Sequence, residues 1–391
     1  MPNSTETKST TAKTDIPAKK VVMDQDRYKS PKEGRRNYIR LDFNENTAPL
    51  LSGDDYSAYP EYDPLLENLA EIFAVDKENL LPTNGTDEAL SLIASTFIEP
   101  SQDQAMVSQP TFALIQRSMV LAGGKTFEVP VRSNLSYDTD ELEKVLTDNE
   151  IKLATFASPD NPTGSVLDLK LIESWLVKFP RTLFVLDEAY ADYIYGKNAY
   201  NNNSSIALTR KYNNLLVTRT FSKAWGLAGL RLGIIIGDSE KLEYLARMRM
   251  PYSVNSYIAN KGSELVALKP RVIEAAIDTM ERKASLLKAL SDIGYRVVAN
   301  DGTNASDNPN KLDDIVQGSA NFFMVNCKDQ SGDFCQFMKG EGILVRNRAS
   351  EDVESPMYGM VRISIGTPEE NSQLLKAIRK WRQARRPDKV S

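Results

Sequence analysis

The stretch TRTFSKAWGLAGLRLG, residues 218–233, sets Lys223 just after the apolar run Leu215, Leu216 and Val217 and just before three glycines and Arg231. A lysine beside a strand end commonly lays its stem over apolar surface and keeps its ammonium in water. An amine held in a polar pocket with its pKa lowered is instead a nucleophile that condenses with a carbonyl to a Schiff base. One lysine does not separate these readings, so the other groups that such chemistry requires must be sought along the chain.

The 391 residues include no histidine, which removes the commonest general base and every Ser–His or Cys–His nucleophile pair. Acid–base chemistry must therefore rest on Lys, Asp, Glu or Tyr, or on a cofactor that carries the electronic step. The only two cysteines, Cys327 and Cys335, have no companions at metal-ligand spacing, so no disulfide framework, zinc site or other metal is expected. A reducing, cytoplasmic location fits that usage. A net charge of −5 argues against a nucleic-acid surface, and Arg379, Arg382, Arg385 and Arg386 read as the solvated end of a C-terminal helix. Hydrophobic residues at 41% and charged residues at 26% suit a soluble globular protein, and no apolar run is long enough for a bilayer.

Several segments offer groups that could share a pocket with Lys223. LFVLDEAY, residues 183–190, ends an apolar run in Asp187 and carries Tyr190 three residues later. At the carboxyl end of an α/β strand both would face the ligand crevice. There a carboxylate stabilises a protonated ring nitrogen and a phenol bonds a ring oxygen; a helix N-cap is the competing role for Asp187. ASPDNPTG, residues 157–164, sets Asn161 in a Pro- and Gly-bounded turn, which is either a donor to the same ring or simply a turn. TNGTDEAL, residues 83–90, puts Gly85, Thr86 and Asp87 before a periodic helix, where free N–H groups and the helix dipole suit a phosphate or merely a cap. Thr220, Ser222 and Arg231 bring two hydroxyls and a guanidinium for the same anion. Farther on, ILVRNRAS offers Arg346 and Arg348. Arg362 lies between Val361 and Ile363, where burial without an anionic partner, substrate or structural carboxylate, is costly.

The elements that must hold these groups alternate short apolar runs with helix-period segments from Tyr59 onward, the pattern of a mostly parallel sheet with crossover helices. Strands are predicted at 105–108, 153–157, 183–186, 215–218 and 233–236, and helices at 65–73, 87–97, 167–179 and 272–291. The fold class is α/β, with a sheet covered on both faces. A smaller unit follows, with strands at 295–298, 320–325, 342–345 and 360–364 and a final helix at 369–383. The expected organisation is a disordered tail over 1–36, an N-terminal arm over 37–58 associated with the small domain, a large domain over 59–290 and a small C-terminal α/β domain over 291–391. The polar segments 299–319 and 196–205 read as disordered loops.

Taken together, LDFNEN, YPEYDPLLENLA, NGTDEA, SPDNPTG, LDEAY, TFSKAWGLAGLRLG and VRISIGTPEEN resemble the fold-type I pyridoxal phosphate enzymes, and within them the histidinol-phosphate aminotransferase group of the class II aminotransferases. The resemblance covers nearly everything after the tail and implies a large domain with a mostly parallel seven-stranded sheet. It implies pyridoxal 5'-phosphate bound as a Schiff base to Lys223, with Asp187 on the pyridinium nitrogen and Asn161 and Tyr190 on the ring oxygen. Thr86 and Asp87 through their backbones, with Thr220, Ser222 and Arg231, resemble the phosphate cup. Phe112 stands where the family often has a tyrosine stacked on the ring. Tyr59 is similar to the tyrosine that crosses a homodimer interface to the partner's cofactor phosphate. Arg362 resembles the arginine that grips the substrate α-carboxylate and Arg346 the one that meets the substrate phosphate. The implied reaction is ping-pong transfer between L-histidinol phosphate and 2-oxoglutarate. An aminotransferase for another amino acid, or a pyridoxal phosphate decarboxylase or lyase on the same scaffold, is the alternative.

Overall fold

The computed structural model of the chain describes residues 15–28, 34–46, 48, 51, 57–198, 200, 204–300, 309 and 311–385. Its main sheet has seven strands, the central ones largely apolar: β1 (Leu80–Thr83), β2 (Gln104–Gln109), β3 (Lys125–Pro130), β4 (Ile151–Ala157), β5 (Leu183–Asp187), β6 (Leu215–Thr220) and β7 (Gly233–Gly237). The seven strands lie in the order β1-β7-β6-β5-β4-β2-β3. All neighbours pair in parallel except β7, which is antiparallel to both β1 and β6.

Successive side chains of a strand point to opposite faces, and the core divides accordingly. Phe184, Leu186, Val217 and Ile234 pack beneath the helices Asp63–Phe73 and Leu169–Lys178, through Leu69, Phe73 and Trp175. Their neighbours Leu183, Val185, Leu216 and Ile235 pack on the other face with Ala89, Ile93 and Phe97 of the helix Gly85–Phe97 and Leu245 of the helix Ser239–Met248. Both faces are covered, which is why these strands read as unbroken apolar runs.

A second sheet follows, with β8 (Arg296–Val298), β9 (Asp314–Val316), β10 (Phe322–Asn326), β11 (Arg346–Asn347) and β12 (Met360–Ser364) in the order β11-β12-β10-β9-β8. Its apolar face meets the helices Ser331–Gly340 and Pro368–Ala384 and the end of the 31-residue helix Gly262–Asp292. TPEE starts the C-terminal helix with a capping box between Thr367 and Glu370.

Four expectations are corrected. The long helix begins ten residues before its predicted start, because Pro270 lies inside it and an interior proline reads as a helix stop. The predicted strand at 342–345 is not formed; pairing with β12 begins at Arg346. The loop expected over 299–319 contains β9, held by a bidentate ion pair from Arg296 to Asp314 at 2.9 and 2.6 Å; residues 301–308 and 310 lie outside the described residues. Within 196–205, Tyr200 is buried against Phe73 and Trp225 and Ser205 donates to Glu188, while 199 and 201–203 lie outside the description.

The tail expected to be disordered over 1–36 is folded where it is described from residue 15: Ile16, Ala18 and Val22 are buried and the Lys19 N–H donates to Thr96 O at 2.9 Å. Ile16, Ala18 and Val22 are too few and too unevenly spaced to show a period, and the surface that buries them comes from distant sequence. Residues 1–14 lie outside the described residues, as does much of the arm expected over 37–58. Among the described residues no helix is long and apolar enough to cross a membrane, and no cluster of His, Cys, Asp and Glu could hold a metal.

Ile16→Ala is expected to cost about 2–5 kcal/mol, the usual penalty for truncating a buried aliphatic side chain, measured by denaturant unfolding. A loss under about 0.5 kcal/mol, as at a surface position, would mean that the segment does not pack in solution.

Candidate active site

The register of the main sheet aligns three strand ends, with Ala157 beside Asp187 and Asp187 beside Thr218. The loops leaving those ends carry Asn161, Tyr190 and Lys223 to a common cavity of about 210 Å³. Thr86, Asp87 and Phe112 close it from the second strand-to-helix layer, and Thr220, Ser222 and Arg231 from the loops around β7. Ten residues expected at the site from sequence therefore line one cavity.

Asp187 sits at its floor, 4% exposed. Thr218 Oγ1 donates to Asp187 Oδ1 at 2.8 Å and the Ala189 N–H also donates to it, yet burial outweighs both and pushes the carboxyl up to about 6. Protein crowding lowers the pKa of the Lys223 amine, and the charge of Arg362 acts in the same direction. Its Nζ lies 5.6 Å from the centre of the Tyr190 ring. Burial pushes the Tyr190 phenol up to about 12, so it keeps its proton at neutral pH and remains a donor.

The other end of the cavity is shaped by close backbone contact. Gly85, at φ +78°, opens the helix Gly85–Phe97, and a Cβ on Gly233 would lie 2.6 Å from Gly85 C and 2.7 Å from Thr86 N. The helix start is thus pressed onto β7, and the Arg231 guanidinium reaches over Gly85 to pair with Asp87 at 3.1 Å. Free N–H groups of a helix start beside an arginine and the Thr220 and Ser222 hydroxyls form an anion cradle.

Arg362 comes from the second sheet and donates through Nη1 to Asn161 Oδ1, with its guanidinium 5.3 Å from the centre of the Phe322 ring. Arg346 pairs directly with Arg362 across β11 and β12, and the Arg348 N–H continues the ladder to Met360 O. Cross-strand partners and residues two apart share a face, so Arg346, Arg348 and Arg362 point to one side. Burial and the charges of Arg362 and Arg346 lower the Arg348 pKa, with Asp160 opposing. Among the described residues none of the three arginines has a salt bridge. Tyr59 lies outside this cavity, its ring centre 4.4 Å from that of Tyr252.

Sequence reasoning left out three supports of the site. Asp160, fully enclosed and pushed up to about 6 by burial, accepts from Thr111 and Thr163 and so ties the turn of Asn161 to the loop of Phe112. Arg219, between the two cavity threonines of β6, points the opposite way and makes 3.3 Å ion pairs with Glu188 and Asp192. Arg348, which the sequence offers beside Arg346 with no role attached, joins the arginine face. The one available signal was a charged residue alternating with threonines in an apolar strand, TRT.

The sequence profile for aminotransferase class I and II matches residues 29–378. The chain belongs to this family. The histidinol-phosphate aminotransferase of Ruminiclostridium cellulolyticum is 31% identical over 362 residues, covering 87% of this chain and 91% of that one. The fold matches the histidinol-phosphate aminotransferase of Sinorhizobium meliloti solved with pyridoxal-5'-phosphate, at a TM-score of 0.69 with 20% identity over 83% of each chain. It also matches L-threonine-O-3-phosphate decarboxylase of Porphyromonas gingivalis, at a TM-score of 0.66 with 21% identity over 83% of this chain and 91% of that one. This aminotransferase therefore has the fold-type I architecture expected from its sequence.

Gly233→Ala is expected to cost about 1–3 kcal/mol by forcing backbone apart at the cradle, read by denaturant unfolding. Gly229→Ala, whose new methyl would meet no atom within 4 Å, is the control and is expected to stay within about 0.5 kcal/mol.

Proposed function

We propose that this aminotransferase binds pyridoxal 5'-phosphate on Lys223 and interconverts L-histidinol phosphate and imidazole-acetol phosphate, with 2-oxoglutarate and L-glutamate as the second pair. The observation that carries the substrate is the set of three arginines on one face of the second sheet, none of which has a salt bridge among the described residues. Such a set suits a doubly charged phosphate monoester better than a lone carboxylate. The relatives named for this reaction, at about 30% identity over most of the chain, support the same reading.

The donor set of the cavity fits the cofactor. Asp187, a buried carboxylate with no salt bridge among the described residues, would hold a proton on the ring nitrogen. Asn161 spends Oδ1 on Arg362, which leaves its Nδ2 hydrogens, with the Tyr190 hydroxyl, for the ring oxygen. Phe112 would cover the ring, and the cradle at Thr86, Asp87, Thr220, Ser222 and Arg231 would take the phosphate. The bound cofactor supplies a carbonyl carbon and an electron-accepting ring.

Lys223, whose pKa burial and the Arg362 charge lower, gives up its proton more readily than a free lysine, which suits it to act first as nucleophile and then as the base toward the substrate α-carbon. By holding a proton on the ring nitrogen, Asp187 would keep that nitrogen positively charged, so that the bound ring could accept electron density. Arg362 and Arg346 hold the substrate anion and thereby fix which bond at the α-carbon is presented. Tyr59, exposed and stacked on Tyr252, would serve the cavity of a partner subunit, so the working unit is a homodimer. The location in this reading is cytoplasmic.

The deciding experiment records the absorbance of the protein with pyridoxal phosphate before and after L-glutamate and, separately, L-histidinol phosphate. Loss of the yellow band with both is expected; loss with glutamate alone would keep the transaminase and discard the substrate, and release of carbon dioxide would favour a decarboxylase. Lys223→Ala is expected to abolish the yellow band and to lower kcat by at least about 10³-fold; full turnover in that variant would displace the site. Arg346→Ala is expected to lower kcat/KM for L-histidinol phosphate at least about 10-fold more than for unphosphorylated L-histidinol. Equal losses would remove the phosphate assignment.

A further inference from the structure

Lys283 is 1% exposed inside the long helix Gly262–Asp292, and among the described residues no carboxylate pairs with it. Its ammonium donates to two main-chain carbonyls instead, Gly318 O at 2.9 Å and Ala320 O at 2.7 Å. Burial alone pushes its pKa down to about 7. An apolar side chain of similar length would fill the same space without that desolvation cost. Two directed bonds to two carbonyls do something packing does not: they fix the position of a strap.

That strap, residues 318–320, runs between β9 and β10 and touches the active site on two sides. On one side Gly318 meets the turn that carries Asn161 backbone to backbone. A Cβ on Gly164 would lie 2.6 Å from Gly318 Cα, and the Ser319 N–H donates to Gly164 O at 2.8 Å. Asn300 Nδ2 adds a bond to Thr163 O at 2.7 Å. On the other side Ala320 and Phe322 pack with Ala189 and Tyr190, the Tyr190 and Phe322 rings meeting edge-on at 5.5 Å. Phe322 also lies beneath the Arg362 guanidinium, and Arg362 donates to Asn161.

We propose that Lys283 is a positioning residue for the substrate anion: by holding Gly318 O and Ala320 O it sets the strap against the Asn161 turn and thereby sets where Arg362 presents its guanidinium. This rests on the reading that Arg362 grips the substrate. Asn161 and Tyr190, which would meet the cofactor ring oxygen, touch the strap, whereas the groups that would hold the ring nitrogen and the phosphate, Asp187, Thr86 and Arg231, belong to the main sheet and its loops and make the larger share of the cofactor contacts. Loss of the Lys283 contacts is therefore felt by the substrate before the cofactor.

The test uses the full-length protein loaded with pyridoxal phosphate. In Lys283→Met, KM for L-glutamate and L-histidinol phosphate is expected to rise at least about 10-fold, the scale of a small misplacement of a binding group. The cofactor affinity from the yellow band is expected to stay within about 2-fold, since a uniform loss of fold would lower both together. Gly318→Ala wedges the strap from the opposite side, its Cβ 3.1 Å from Gly164 Cα, and removes no buried charge; it is expected to show the same split between KM and cofactor affinity. Arg362→Lys in the same assays separates the two levels. An unchanged KM there sinks the substrate grip itself, whereas a raised KM there with an unchanged KM in Lys283→Met sinks only the role of Lys283. Parallel loss of cofactor and substrate affinity, or failure of both strap variants to fold, would assign the contact to stability alone and overturn the proposal.

Discussion

The arrangement depends on a carboxylate kept where water is not. Asp187 is pushed from 3.8 to about 6 by its burial, roughly 3 kcal/mol against its ionised form at about 1.4 kcal/mol per pH unit. The Thr218 hydroxyl and the Ala189 N–H limit that cost without removing it. A cation placed against the carboxylate would relieve that cost, so the burial of Asp187 favours a positively charged partner there.

Keeping a charge so placed requires that the strand end not move, and the strand ends are fixed from behind. Residues alternate across a strand, so when Thr218 and Thr220 face the cavity Arg219 faces the opposite layer. There it binds Glu188 and Asp192 and lies over the rings of Phe73 and Tyr200. Glu188 is the next residue after Asp187, so β5 and β6 are joined on both faces by polar contacts one residue apart, Thr218 to Asp187 and Arg219 to Glu188. Tyr200 links this network to Trp225, two residues beyond Lys223. The lysine loop is anchored by aromatic packing of Phe221 and Trp225 on the same side. The segment read as a loose polar loop around Tyr200 thus closes the back of the site.

These details also show which parts of the molecule were legible in the chain. Lys223, Asp187 and Arg362 could be singled out because each is a charged residue beside or within an apolar run, where burial requires a reason. The seven-stranded architecture followed from the resemblance, and the central strands from their uninterrupted apolar character. The edge strand β3 is not legible because Lys125–Pro130 buries only Val129 and carries two charged residues, and β1 because Pro82 sits in it. Asp160, Arg219 and Lys283 escaped for another reason. Thr163 apart, the partners that tie them into the site are 49, 31 and 37 residues away in sequence, and no local pattern announces a bond across that distance. Ile16, Ala18 and Val22 were misread as tail on the same ground.

The arginines of the second sheet complete the electrostatic logic from the opposite direction. Asp187 is a buried negative charge awaiting a cation; Arg346, Arg348 and Arg362 are positive charges on one sheet face awaiting an anion. Between them stand Asn161, which already binds Arg362, and Lys223, whose pKa is lowered by crowding and by Arg362 more than Asp187 and Asp87 raise it. An anion settling on the arginines would cancel part of the field that lowers the lysine's pKa. The proton affinity of the amine would therefore rise as such an anion arrives. The distance between the two sheets is then a chemical variable as well as a mechanical one, since it sets how strongly the arginines act on the amine.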